Sequence, residues 1–172
     1  MKSIRNPVLV AVAILGVGLL AGCGPKRKEI SDRERKEAAH LASEAQFALS
    51  LKDYARTAGL LAKATELTPD AGPLWISLGS ARMRQGKKEA AKTAYLGALK
   101  AYELELAEKP EGAESWLKKV YVLALLGRQD EARSFLEKTA KKFPETRNVR
   151  QFIDGKQFDR MLADPIFKDI AL

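Results

Sequence analysis

The chain has one cysteine, one histidine and two tryptophans among 172 residues, and 7% of it is aromatic. With Cys23 alone, no intrachain disulfide can form, so the fold must stand on packing. His40 has no companion cluster of ligand-type side chains at metal spacing and reads as a surface histidine. No glycine-rich phosphate loop follows a strand, and no nucleophile, base and orienting group can be assembled. Paired acids such as Glu103 and Glu105 belong to a charged helix face. Neither catalysis, a cofactor, a metal nor a small-molecule substrate is expected. Basic residues outnumber acidic ones by 30 to 22, but the two signs interleave nearly everywhere. That pattern is a solvated surface and not a nucleic-acid footprint.

Only one long apolar run is present. Val8 to Leu20 is interrupted by Gly16 and Gly18 and follows the basic Lys2 and Arg5. It falls short of the roughly 20 apolar residues of a membrane span and has the form of a secretory signal. The sequence closing it, Leu20-Ala21-Gly22-Cys23, resembles the lipobox of bacterial lipoproteins. The resemblance implies a diacylglyceryl group on the Cys23 thiol, cleavage before it, and acylation of the new terminus by a fatty acid such as palmitate. Residues 1–22 are then a signal peptide and 23–31 a lipidated tether, whose three acyl chains exceed what stable membrane attachment needs. The alternative is an uncleaved anchor, which also leaves the body outside the cytoplasm and tied to a membrane. Lys26-Arg27-Lys28 follow the anchor. Each adds on the order of 1 kcal/mol of attraction to an anionic surface, unless the segment is a plain soluble tether. Gly24 takes the place where aspartate, in the sorting rule this motif resembles, marks inner-membrane retention. The expected location is therefore the outer membrane, facing the periplasm. A tether from Gly24 to Asp32 reaches about 30 Å at full stretch, which keeps the body near the bilayer.

From Ser31 onward the pattern is helical, with no convincing strand. Ser31-Asp32-Arg33-Glu34 has capping-box spacing. The rest is self-similar. Leu41, Ala45, Thr57, Leu61 and Ala64 recur 34 residues later as Trp75, Gly79, Ala91, Tyr95 and Ala98. They recur 41 residues further on as Trp116, Val120, Ala132, Leu136 and Thr139. Pro69, Pro110 and Pro144 follow the same two spacings. One period of 34 explains the chain if seven residues are inserted within Leu99–Lys109. They add about 10 Å of helix, on which Tyr102 and Leu106 prolong the apolar stripe. This overhang is expected to pack on a third-repeat helix that starts early, near Pro110, or else to protrude toward a partner.

These registered copies resemble the tetratricopeptide repeat, with its W-x2-L-G-x2-Y, A-x3-F and proline signature. The middle copy carries Trp75, Leu78, Gly79, Ala91 and Tyr95, with Arg82 where an aromatic is usual. The third keeps Trp116, Ala132 and Pro144, and the first is the most degenerate. The resemblance implies an all-α solenoid of three helix-turn-helix hairpins over 32–144 (approximately 38–71, 72–112 and 113–146). No hairpin covers its own apolar face, so stacking must. Small residues allow close helix approach, while Trp75, Tyr95, Trp116 and Leu136 fill the gaps between hairpins. Residues 145–172 are expected to form capping helices, with Asp164-Pro165 as N-cap and first helical residue. Ile166, Phe167 and Ile170 either complete that cap, fold back into the concave groove or dock on a partner.

The family's groove-facing spacing gives three sets: Ala42, Gln46, Leu49 and Ser50; Ile76, Ser80, Met83 and Arg84; Leu117, Tyr121, Ala124 and Leu125. The surface is mostly apolar, with Arg84 and Tyr121 as polar anchors. It lacks the lysine and asparagine set with which some family members clamp a peptide carboxyl terminus. An apolar groove suits a helical or extended segment of another protein. The expected role is a membrane-anchored scaffold or adaptor in envelope assembly, binding envelope proteins and, through acylated Cys23, the bilayer. Lipoproteins of this design resemble pilotins of pilus and secretion machines, barrel-assembly subunits and adaptors for peptidoglycan hydrolases. A passive structural role without a dedicated ligand is the alternative, with an enzyme a distant third.

Overall fold

Ser31 opens the first helix as its sequence predicts. Its hydroxyl accepts from the Glu34 amide at 3.3 Å, while the Glu34 carboxylate accepts from the Ser31 amide at 2.8 Å. The computed structural model describes residues 29–154 and 156–172, so the signal segment, Cys23 and the Lys26–Lys28 run lie outside the described residues.

Three hairpins follow: α1 (Asp32–Ser50) with α2 (Tyr54–Leu67), α3 (Gly72–Arg84) with α4 (Lys88–Glu108), and α5 (Ala113–Leu125) with α6 (Gln129–Lys142). Within each pair the helices return antiparallel along each other, and α2 packs on α3 as α4 packs on α5. Three short helices close the chain, α7 (Arg147–Ile153), α8 (Gln157–Ala163) and α9 (Pro165–Ile170). No strand occurs among the described residues. The architecture is an all-α helical-repeat solenoid.

The 34- and 41-residue spacings reappear as identical backbone devices. Each first helix ends in a Schellman turn, with Asp53, Lys87 and Arg128 amides donating to the carbonyls of Ala48, Arg82 and Leu123. The left-handed residue this requires is Gly86 (φ 72°) and Gly127 (φ 71°) in two copies, but Lys52 (φ 59°) in the first. Each later hairpin is entered through a tryptophan. The Trp75 indole donates to the Pro69 carbonyl and that of Trp116 to the Pro110 carbonyl, both at 3.0 Å.

Ala45, Ala91 and Ala132 are buried where the hairpin helices meet. A Cβ on Gly79 would sit 2.2 Å from the Tyr95 ring, so the middle hairpin closes only because that side chain is absent. Arg82, in the aromatic's place, donates to the Ala90 carbonyl across the same hairpin at 3.0 Å. Partial burial there lowers its pKa. Trp116 is half-buried instead of filling the inter-hairpin space. It stacks on Phe135 at 4.9 Å and meets the edge of Phe143 at 5.7 Å.

The insertion lengthens one helix. α4 has 21 residues, whereas α2 and α6 have 14 each. The overhang packs on α5, with Lys119 bonded to Glu103 at 2.8 Å and Ser115 to Glu105 at 2.6 Å. Tyr102 is buried over Gly72 at the start of α3. The expected early start of α5 is not found. It begins at Ala113, as far beyond Pro110 as Gly72 lies beyond Pro69, because the same tryptophan-to-proline bond shapes both turns.

Candidate docking groove

The first helices of the hairpins present the three register-related sets to one side, but the two halves of that side differ. Between α1 and α3 lies an open cavity of about 540 Å³. Ala42, Gln46 and Leu49 line it from α1, and Ile76, Ser80 and Arg84 from α3. Its floor is Leu61 of α2, and its far edge is Ile170. A second recess of about 630 Å³, holding Ser50, Tyr54 and Ile166, shares Leu49 and Arg84 with it. Met83 is directed elsewhere and packs half-buried on the main core.

Toward the third hairpin the surface is covered. Leu125 and Ala124 are buried, and Leu117 and Tyr121 pack against the same core. The cover is the chain's own end. Phe167 and Ile170 are buried, and the Phe167 ring meets that of Tyr121 edge-on at 5.8 Å. The Tyr95 hydroxyl donates to the Ile170 carbonyl at 2.5 Å, and the Leu172 amide donates to the Leu125 carbonyl at 2.9 Å. Arg84 pairs with Asp169 at 3.3 Å and lies 5.7 Å from the Tyr54 ring centre. Folding back into the groove describes Phe167 and Ile170 at the third-hairpin half, whereas Ile166 is exposed. Asp164 caps α9 as expected, accepting from the Ile166 amide at 2.7 Å.

Burial sets the electrostatics. It pushes the Tyr95 phenol up to about 12, opposed by the Ser80 hydroxyl. Tyr121 is raised by burial as well. Both phenols are therefore neutral at ordinary pH, and Arg84 is the cation at the junction between the open and covered halves. Among the described residues no cluster of three or more histidine, cysteine or acidic side chains is placed to hold a metal. His40 faces solvent and lies 3.1 Å from Glu44.

The family's groove-facing spacing matches where most of the α1 and α3 side chains lie, with Met83 the exception. It did not reveal Tyr95, Asp169 or Leu172 as groove contacts, because none of them is on a first helix. The only sequence signal was the apolar spacing of Phe167 and Ile170 behind the Asp164-Pro165 cap.

A stack of helical hairpins with an open, largely apolar concave cavity defines a helical-repeat interaction module. The family model of the tetratricopeptide repeat matches residues 72–103, which are α3 and most of α4. That supports a tetratricopeptide repeat protein, and such repeats generally mediate protein–protein contacts. No curated protein matches the chain.

Proposed function

We propose that this protein is an exported, lipid-anchored adaptor that holds a segment of another envelope protein in the cavity between α1 and α3. The observation that carries this reading is the cavity itself. Residues related by one repeat length line it, and none of the described residues fills it. Its walls are mostly apolar, and Ser43, Gln46, Ser77, Ser80 and Arg84 are among the polar groups that can orient a ligand. The signal segment and Leu20-Ala21-Gly22-Cys23 support attachment through Cys23 at the periplasmic face of the outer membrane, where the short tether holds the groove close to membrane-embedded machinery.

Photocrosslinkers placed at Gln46 and Ile76 in living cells should trap a discrete envelope protein, and one at exposed Lys92 on α4 should not. Crosslinks equally intense at all three positions, or absent from all, would leave the passive structural role as the better account. Cys23→Ser should abolish labelling by radioactive palmitate and release the chain from the membrane fraction. Retained labelling would sink the anchor.

A further inference from the structure

The segment Asp164–Leu172 touches all three parts of the groove that a ligand would use. Asp169 gives its carboxylate to Arg84, which also lines the open cavity. Ile170 buries its side chain at the cavity edge and receives the Tyr95 hydroxyl on its carbonyl. Phe167 covers Tyr121. Yet the segment is thinly held. α9 is six residues long and anchors only Phe167 and Ile170 in the core, while Asp169 is 63% exposed and Ile166 69% exposed. Short helices with few buried side chains lie at the low-stability end of a structure and open locally. We propose that this segment is a built-in mimic of the groove's ligand. The partner is a short amphipathic helix with an acidic residue immediately before a branched aliphatic one, and it displaces the segment by taking over Arg84 and the Ile170 site.

The argument rests on charge and continuity. Among the described residues Arg84 is the one cation lining the open cavity, so a ligand lying there meets it and prefers a carboxylate. The cavity runs without a break to Ile170, so that ligand also reaches the aliphatic site. A segment tethered in cis acts at high effective concentration, and it lowers the apparent affinity of any competitor by the fraction of time the site is closed. The chain thereby rejects apolar peptides that lack the acid. This inference rests on the reading of the groove as a docking site and adds the chemistry of its ligand.

The test uses the full mature chain and a fluorescent peptide copying residues 163–172, followed by fluorescence polarisation. Wild type should bind the peptide weakly, and the Ile170→Asp chain, whose own segment is ejected, at least about tenfold more tightly. Adding Arg84→Ala to that chain should remove most of the gain, as should a peptide with alanine in place of Asp169. Should Ile170→Asp fail to fold, the milder Asp169→Ala chain carries the same comparison, with a gain of at least about threefold expected. Equal affinity for wild type and a folded variant, or a gain indifferent to Arg84, overturns the proposal. The two readings fail separately. Peptide exchange without any partner crosslinked at Ile76 sinks the adaptor role alone, while partner crosslinks that Asp169→Ala leaves unchanged sink the mimic alone.

Discussion

The two halves of the concave surface are built from side chains at equivalent repeat positions, yet one is an open cavity and the other is roofed. Ile76 and Leu117 occupy the same repeat position, as do Arg84 and Leu125. In the second hairpin they line the cavity, whereas in the third Leu125 is fully buried and Leu117 packs half-buried on the core that also holds Phe167 and Ile170. Repeat register therefore decides which way a side chain faces. Whether that face meets solvent or protein is decided by chain outside the repeats. In this protein the nine residues Asp164–Leu172 of that chain meet α5 at Tyr121 and Leu125 and reach back to touch α3 and α4.

Removing one apolar side chain on each side measures the contrast directly. Phe167 is buried in the main core, so Phe167→Ala is expected to cost about 3–5 kcal/mol if the cover stays seated. It costs less if α9 detaches as a unit. Leu49, half-buried at the wall of the open cavity, should cost below about 1.5 kcal/mol when replaced by alanine. Urea denaturation of the two variants checks the order. Equal costs would mean that the cover is no part of the cooperative fold. A value for Phe167→Ala well under 3 kcal/mol, with protection from hydrogen exchange lost only in α9, would show that the roof opens independently.

Much of the fold was legible in the sequence, for a physical reason. Three copies of one hairpin must solve the same packing problem, so Ala45, Gly79, Ala91 and Ala132 recur wherever two helices come closest. The seven-residue insertion was legible too, because Tyr102 keeps the helical phase of Tyr95. Its consequence for α5 was misjudged. The start of that helix obeys the local Trp116–Pro110 bond and not the length of the helix before it. The open half of the groove was anticipated in part by the family's spacing, since Ala42, Gln46, Leu49, Ile76, Ser80 and Arg84 line it but Met83 does not. The closed half was not, since Asp169, Ile170 and Leu172 meet it through a backbone carbonyl, a backbone amide and one exposed ion pair. No periodicity encodes such contacts.

Alkaline titration sharpens the comparison, because Tyr95 lies beneath the cover. Its phenol is held neutral up to about 12, chiefly by burial, whereas the unfolded value is near 10. The folded pKa is the higher one, so the stability this contributes is complete below pH 10 and is lost as pH rises through about 12. A two-unit displacement corresponds to about 3 kcal/mol for this group, and Tyr102, also raised to about 12 by burial, adds a similar loss. The denaturation midpoint of wild type should therefore fall more steeply between pH 10 and 12 than that of Tyr95→Phe. In Ile170→Asp, with the roof off, phenolate absorbance should develop at lower pH than in wild type. Unchanged titration in that variant would mean that the burial of Tyr95 comes from the hairpin alone.

The smallest expected effect concerns the hairpin that bounds the open half. Its turn is the one copy of the Schellman device built on a residue with a Cβ. Lys52 takes φ 59° where its counterparts are Gly86 and Gly127, and all three turns make the same pair of backbone bonds. A left-handed conformation costs a non-glycine residue roughly 1–2 kcal/mol, and part of this is offset because glycine loses more backbone entropy on folding. Lys52→Gly should thus stabilise the protein by about 0.5–1 kcal/mol, read as a higher urea midpoint at unchanged slope. The gain should appear mainly as slower hydrogen exchange in α1 and α2, whose junction the turn makes, with α5 and α6 unaffected. A gain spread evenly over all six repeat helices would instead show that the stack unfolds as one unit, with the open cavity as firmly held as the covered one.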